Sequence, residues 1–315
     1  MKPVAINSLL EIDPDKITFQ KEWSVRGRQG KRSLLLEIAL FAGLIGPGFF
    51  AVSFFSGYAF GYLVSFFLVL LGYGIPHLLF LGRIGRFWMA ALKPQRSWIS
   101  RGFIFAGLFL LFSFLASLRN FEKLNAGFIR AGSVFSGLVL TGGGISSLLL
   151  AIYPGFLFSV LKAIPFWNTA IIIPLFLTQA AGGGIALCFI FNSLSFIRGA
   201  ALNGLVFRNL LLSDAIILVL TAVFTGAYLI ERYNYSEEGK KSIEKLTKGN
   251  YQIPFIFIAM GAGLIIPLIV VVFLLLAGRS DLLPLIGLLQ LTGIFSFKYC
   301  MLNAGAYKKL YKIES

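Results

Sequence analysis

The sequence predicts an all-α, polytopic integral membrane protein with eight transmembrane helices. Three observations lead there. Only 13% of the 315 residues are charged, against about 25% in a soluble domain. The mean hydropathy is +0.85. The apolar residues are gathered in runs of roughly 20, the length that crosses a hydrocarbon core of about 30 Å. A β-barrel would instead show alternating segments of about ten residues, and none are seen.

In chain order, residues 1–33 form a polar N-terminal segment that includes Glu11, Asp13, Asp15, Lys16, Lys21 and Glu22. No cleavable signal sequence is seen before the first apolar run, so that run is expected to serve as an uncleaved signal-anchor. Hydropathy places the spans roughly at 34–56, 59–81, 99–118, 132–153, 169–194, 209–230, 253–277 and 282–303. They make a membrane domain over 34–305, followed by a basic C-terminal tail, 306–315. A short hairpin at Gly57-Tyr58 joins the first two spans. The longest polar loop, Glu231 to Gln252, separates the sixth and seventh, and its mixed charges read as a solvated surface segment. Pro154, Pro165 and Pro174 frame the fourth loop and are expected to bend or end helices there. Glycines inside the spans, such as Gly46-Pro47-Gly48, Gly142-Gly143-Gly144 and Gly182-Gly183-Gly184, have two readings. They allow close helix packing, or they mark a helix break that lines a cavity or makes room for a flat ligand.

Eight spans put both termini and the even-numbered loops on one face. That face holds 21 of the 28 Lys and Arg residues. The asymmetry places both termini in the cytoplasm and the chain in the inner, cytoplasmic membrane. The same distribution accounts for the net charge of +15: the basic residues flank helix ends, where headgroups attract them, and nucleic acid is not implied.

Several chemistries are set aside. Cys188 and Cys300 lie in apolar runs far apart in sequence, which rules out a cysteine-ligated iron–sulfur cluster within this chain. A single histidine, His77, cannot give a membrane haem its two axial imidazoles. No Cys/His cluster has metal-ligand spacing, so no metal is expected, and there is no phosphate-binding loop. No residue is assigned as catalytic. Any electrons handled here come from a bound quinone and a partner subunit.

Polar residues inside spans are costly and each needs a reason. Glu37 opens the first span, His77 nears the end of the second, Trp98 and Arg101 open the third, and Tyr153 closes the fourth. Alternating helix direction brings all of these to the same membrane face. A carboxylate, an imidazole and a phenol at one depth can hydrogen-bond and exchange protons with a lipid-soluble ligand. Each also has a plainer reading: an interfacial histidine, an aromatic-belt tyrosine, and a glutamate that snorkels or pairs with Arg101 or Arg32. On the opposite face Asp214 is either a helix cap or part of a polar path. A proton path is therefore placed at Glu37 and Asp214, with Asn192 and Asn203 beside the latter. Mid-depth polar residues look sparse, mainly Thr141, Ser146 and Thr221. Lys298, inside the last span, is expected to find Glu231 as its partner.

The residues around His77 carry a resemblance. Pro76-His77-Leu78-Leu79-Phe80-Leu81-Gly82-Arg83-x-x-Arg86-Phe87-Trp88, followed by Ser97-Trp98-Ile99-Ser100-Arg101-Gly102, resembles the NrfD-like family, the membrane subunits of polysulfide reductase and related molybdenum enzymes. A second block agrees: Ile152-Tyr153-Pro154-Gly155-Phe156-Leu157, Ile164-Pro165-Phe166-Trp167-Asn168, then Leu175-Phe176-Leu177 running into a Gly-rich helix. The end, Lys298-Tyr299-Cys300 to Asn303-Ala304-Gly305, looks like the family's closing helix. The similarity covers about residues 34 to 305. It departs from the common Gly-Arg-Pro-Glu-Arg pattern at Ile84 and Gly85, and has Lys298 where an arginine is common.

What the resemblance implies is an eight-helix anchor whose first four helices form a quinone-pocket bundle. It would pass electrons between membrane menaquinone or ubiquinone and an iron–sulfur subunit, which serves a large catalytic, typically molybdopterin, subunit of a respiratory oxidoreductase. The tyrosine of the family's Tyr-Pro-Gly motif lies in the quinone pocket, a role that carries over to Tyr153. His77, Trp98 and Arg101 match the motif on the same side, and Glu37 joins them by topology. Arg83, Arg86, Trp88 and Asn168 are then the partner-docking residues. In relatives with exported catalytic subunits the partner docks outside the cytoplasm at the quinone end. Here that end is the basic face, and the charge rule favours the cytoplasm. The rival functions are a proton- or ion-translocating subunit and a structural anchor without quinone.

Overall fold

The fold is described by a computed structural model. The structure describes residues 33–81, 84–120, 132–193, 204–277 and 282–308. The N-terminal segment as far as Arg32, Arg83, Asn203 and the tail beyond Lys308 lie outside the described residues.

Nine helices organise the described chain: α1 Ser33–Ser56, α2 Phe60–Phe80, α3 Trp98–Ser117, α4 Val134–Ser159, α5 Ile172–Asn192, α6 Gly204–Tyr235, α7 Glu237–Thr247, α8 Ile253–Ala277 and α9 Leu283–Ala304. All but α7 are long and apolar enough to cross a membrane, giving the eight spans. Among the described residues there is no strand.

The spans form two halves, α1–α4 and α5, α6, α8, α9, joined through α1, α5 and α9. Those three helices are the buried ones: 78% of the apolar window of α5 is buried, against 22% for α2. The outer helices keep apolar side chains outward, as Leu111, Ile216 and Phe257 do, because lipid is as good a solvent for them as the interior.

Backbone contact holds the inner helices together. A Cβ on Gly48 of α1 would fall on the Ala180 carbonyl of α5, and one on Gly184 would fall on the Gly48 carbonyl. Gly263 of α8 and Gly293 of α9 meet in the same way. The close-packing reading therefore holds for Gly48 and Gly184, while Gly144 has open space beside it and Gly182 lines a cavity; α1 runs unbroken through Pro47. The hairpin between α1 and α2 turns on Gly57, whose φ of 70° favours a residue without a side chain.

Three expectations are corrected. The fourth span does not stop at Tyr153. It runs through Pro154 to Ser159, because neighbouring helices in a membrane can absorb the bond a proline removes. The sixth span reaches Tyr235. The charged loop after it is not simply a solvated segment: α7 turns Ile243 and Leu246 inward while Glu244 and Lys241 face out.

Candidate functional site

The site begins with an irregularity in α2. Leu68–Gly74 forms a π-helical stretch, and α-helix resumes at Ile75–Leu81. Pro76 has no N–H to offer the turn before it, which favours a widened turn there. The stretch aims Tyr73 inward. Its ring lies against Gly43 of α1, where a Cβ would approach to 2.5 Å. One turn later His77 stacks on Tyr73, with ring centroids 5.5 Å apart and planes at 26°. The buried Nδ1 of His77 has no hydrogen-bond partner among the described residues.

Helix α3 starts at Ser97, whose hydroxyl accepts from the Ser100 N–H at 3.4 Å. From there α3 and α4 run antiparallel in register. Trp98 stacks on Phe156 at 5.0 Å with the planes 4° apart. One turn on, Gly102 meets Tyr153, where a Cβ would sit 2.2–2.5 Å from three ring atoms. Only glycine at 102 leaves room for the phenol. Tyr153 is 5% exposed and shares an apolar cluster with Tyr73.

Arg101 closes the edge of this cluster. Its guanidinium lies 4.4 Å from the Trp98 centroid. Nε donates to the Pro94 carbonyl at 2.8 Å and Nη2 to that of Gln95 at 3.2 Å. It fastens the turn before α3 and stacks on the indole. Pairing of Glu37 with Arg101, one of the readings open to that glutamate, is not the arrangement found.

Glu37 is buried on another face of α1. Ala42, Gly43 and Gly46 look toward α2, and residues on one helix face recur at three- and four-residue spacing, which excludes Glu37 from that row. Its carboxylate accepts from Asn303 Nδ2 of α9 at 2.9 Å. The structure thus brings His77, Tyr153, Trp98 and Arg101 to one end of α2, α3 and α4, adds Tyr73, and sets Glu37 toward α9.

The docking candidates divide. Arg86 and Trp88 are exposed on a 3₁₀ helix, Ile84–Ala91. Asn168 is turned into the fourth loop, where its Nδ2 donates to the Ser159 carbonyl. That loop is clamped by residues the sequence did not single out. Arg232, 1% exposed, donates from Nη1 to the carbonyls of Pro165 (2.9 Å) and Asn168 (2.8 Å). Tyr228 donates to the Phe166 carbonyl at 2.8 Å, and Trp167 Nε1 to that of Met301 at 2.9 Å.

Lys298 does not pair with Glu231, which instead holds Arg232 and accepts from Thr169. Its Nζ lies 2.9 Å from the Phe176 centroid and has no hydrogen-bond partner among the described residues. Asp214 is not a cap: it is fully buried ten residues into α6 and accepts from Gln290 Nε2 at 2.6 Å. Mid-depth polarity is richer than Ser and Thr, since Gln179 and Gln290 are both buried.

Helices arranged in this way define a multi-pass membrane subunit with polar chemistry at one end and a second polar set at mid-depth. Its family can be named from the comparison with family models. Residues 58–308 match the one described as Polysulphide reductase, NrfD, which is most of the chain, and the chain belongs to that family of membrane subunits of molybdoenzyme-type oxidoreductase complexes. The match begins after α1, later than the motifs suggested. No curated protein matches the chain.

Proposed function

We propose that this chain is the quinone- or quinol-interacting membrane subunit of a multi-subunit respiratory oxidoreductase, held in the inner membrane with its basic face and termini in the cytoplasm. The observation that carries the reading is the unpartnered, buried Nδ1 of His77 beside Tyr73 and Tyr153. A nitrogen buried without a partner costs free energy unless a ligand or water satisfies it. Phenol, imidazole and a stacked indole are also the groups that suit a flat ring bearing polar oxygens.

In this reading Tyr153 and His77 hydrogen-bond the headgroup oxygens of menaquinone or ubiquinone, and Trp98 with Phe156 bounds its ring. Arg101 keeps the entrance to α3 closed and brings a positive charge near the site. Glu37, bonded to Asn303 on another face of α1, does not touch the headgroup. The bound quinone supplies two-electron, two-proton redox chemistry, and an iron–sulfur partner exchanges the electrons. The exposed Arg86 and Trp88 serve that partner, as does Arg83. The large subunit beyond it is a molybdopterin enzyme.

Purification from membranes in gentle detergent tests the reading. Expected are a co-purifying iron–sulfur chain and extractable quinone. Tyr153→Phe then lowers quinone-linked turnover by about 100-fold, within the range of a lost proton-transfer group, and leaves assembly intact. Unchanged turnover removes Tyr153 from the site, and isolation as a lone chain without quinone removes the function.

A further inference from the structure

Helices α2 and α3 separate at the end that carries His77. Phe60–Phe67 of α2 packs on α3, whereas Ile75–Leu81 packs on α1 and on the 3₁₀ helix Ile84–Ala91 instead. The change of partner falls across the π-helical stretch Leu68–Gly74. A cleft is left between the two helices. Leu79 and Ile104, on its two edges, are exposed where lipid lies.

Two rows of side chains wall the cleft. Phe66 touches Phe114 of α3, with ring centroids 5.5 Å apart. Residues that recur at three- and four-residue spacing share a helix face, so α2 turns Phe66, Leu70, Gly74 and Leu78 to α3, and α3 turns back Phe114, Gly107 and Phe103. Neither row carries a polar side chain. The Phe66–Phe114 contact closes the cleft toward mid-membrane. Phe87 of the 3₁₀ helix, its ring centroid 5.7 Å from that of Phe103, closes it at the membrane surface. Between those contacts the gap is empty at both glycines. A Cβ on Gly107 would find no atom within 4 Å, and one on Gly74 only the Val69 carbonyl of its own helix.

The other seams around the site are filled. Tyr73 lies on Gly43 between α1 and α2. Between α3 and α4, Trp98 stacks on Phe156 and Tyr153 covers Gly102. Phe50 of α1 fills the notch at Gly143 of α4. The cleft is the seam left open, and it begins at the site: Gly74 is three residues from His77, and Gly107 is five residues from Gly102, about 7.5 Å along α3.

We propose that the apolar tail of the bound quinone leaves the site through this cleft, lying between Gly74 and Gly107 on its way to the lipid. The inference rests on the quinone reading and adds to it the place of the tail. The inner end presents a buried nitrogen without a partner, His77 Nδ1, and the outer end is hydrocarbon open to hydrocarbon. A flat polar head on a long apolar tail suits both ends. The missing side chains at 74 and 107 give the tail its width. A chain that leaves lipid for an apolar protein wall gains little, so the cleft admits the tail more than it holds it.

The test uses the isolated complex in nanodiscs of phospholipid and long-tailed quinone. p-Benzoylphenylalanine replaces Phe103 at the rim or, as a lipid-facing control, Phe257 of α8, 63% exposed. Illumination joins the benzophenone to the C–H bonds it touches, and mass spectrometry identifies the adduct. Expected are a prenylquinone adduct at 103 and phospholipid at 257. Phospholipid alone at 103, or a peptide of another chain, overturns the proposal, because an acyl chain or a partner helix then occupies the cleft. The second readout is kinetic. Gly107→Trp puts an indole where a Cβ meets nothing, so folding is not at stake. It raises KM for the long-tailed quinol about tenfold with kcat unchanged, and leaves KM for menadiol, a quinol without a tail, within about twofold. An unmoved KM for the tailed quinol, or an equal loss with both, overturns the proposal. A wild-type complex that oxidises neither quinol fails the quinone reading itself, whereas one that oxidises both and gives no quinone adduct fails the tail exit alone.

Discussion

The two halves use the same material differently. In α1–α4 the polar groups His77, Trp98 and Tyr153, with Tyr73, gather toward one end of α2, α3 and α4. In α5, α6, α8 and α9 the polar groups Gln179, Gln290 and Asp214 sit at mid-depth, bonded to one another or to nothing. Depth decides what each set must do. A phenol near the edge is served by solvent or by a lipid-soluble ligand. A carboxylate in the middle must be served by protein or by something bound.

The comparison breaks most completely at the seam between the halves. Gly48→Leu drives a side chain into the Ala180 carbonyl, and backbone has nowhere to go. Overpacking of this kind costs about 3 kcal/mol or more, so the expected result is no monodisperse protein on size exclusion. Full-level, well-behaved protein would mean that the halves are not joined at this seam.

A smaller loss comes from the tie across the fourth loop. Arg232→Met orphans the carbonyls of Pro165 and Asn168 and releases Glu231. Glu231 is 39% exposed and stays solvated, so the loss is that of hydrogen bonds from a charged group, about 1.5–3 kcal/mol, read as a lowered Tm. An unchanged Tm would place the stability of the loop in Tyr228 and Trp167 instead.

The smallest effect has the opposite sign. Lys298 is 1% exposed and its ammonium lies over Phe176 without a hydrogen bond. Lys298→Met keeps the stem and removes the buried charge, so Tm should rise by an amount equivalent to about 1 kcal/mol. A fall in Tm would sharpen the contrast between the halves, because it would give Lys298 a stabilising partner in the assembled complex.

Much of this was legible in the sequence because membrane crossing depends on run length, which needs no neighbours to read. The eight spans, the Gly57 turn and the shared depth of His77 and Tyr153 follow from that. Pro154 misled because the helix around it packs closely on α5, where a Cβ on Gly155 would meet Ile173, a contact between separate segments. Arg232 looked like any other cation in a charged loop, and only the extension of α6 to Tyr235 buries it. Gln179 and Gln290 were overlooked among glycines and leucines, although two glutamines inside apolar runs are a signal. Tyr73 was hidden because ordinary helix counting does not anticipate a π-helical turn. Glu37 was given the wrong neighbours, since position along α1 says nothing about which face it occupies.

The π-helical stretch Leu68–Gly74 has a consequence for how this subunit can diverge. Such a turn behaves as one extra residue threaded into an α-helix. Losing a single residue between 68 and 74 would leave a regular helix, still long enough to cross, that folds without complaint. The helix beyond it would keep its direction and phase, because the widened turn is where the extra residue is taken up, and His77 would stay in its place. A relative can thus lose or gain one residue here by a single codon's deletion or insertion while the residues on either side keep their neighbours. Alignments that permit no gap in this helix would pair His77 with the wrong residue.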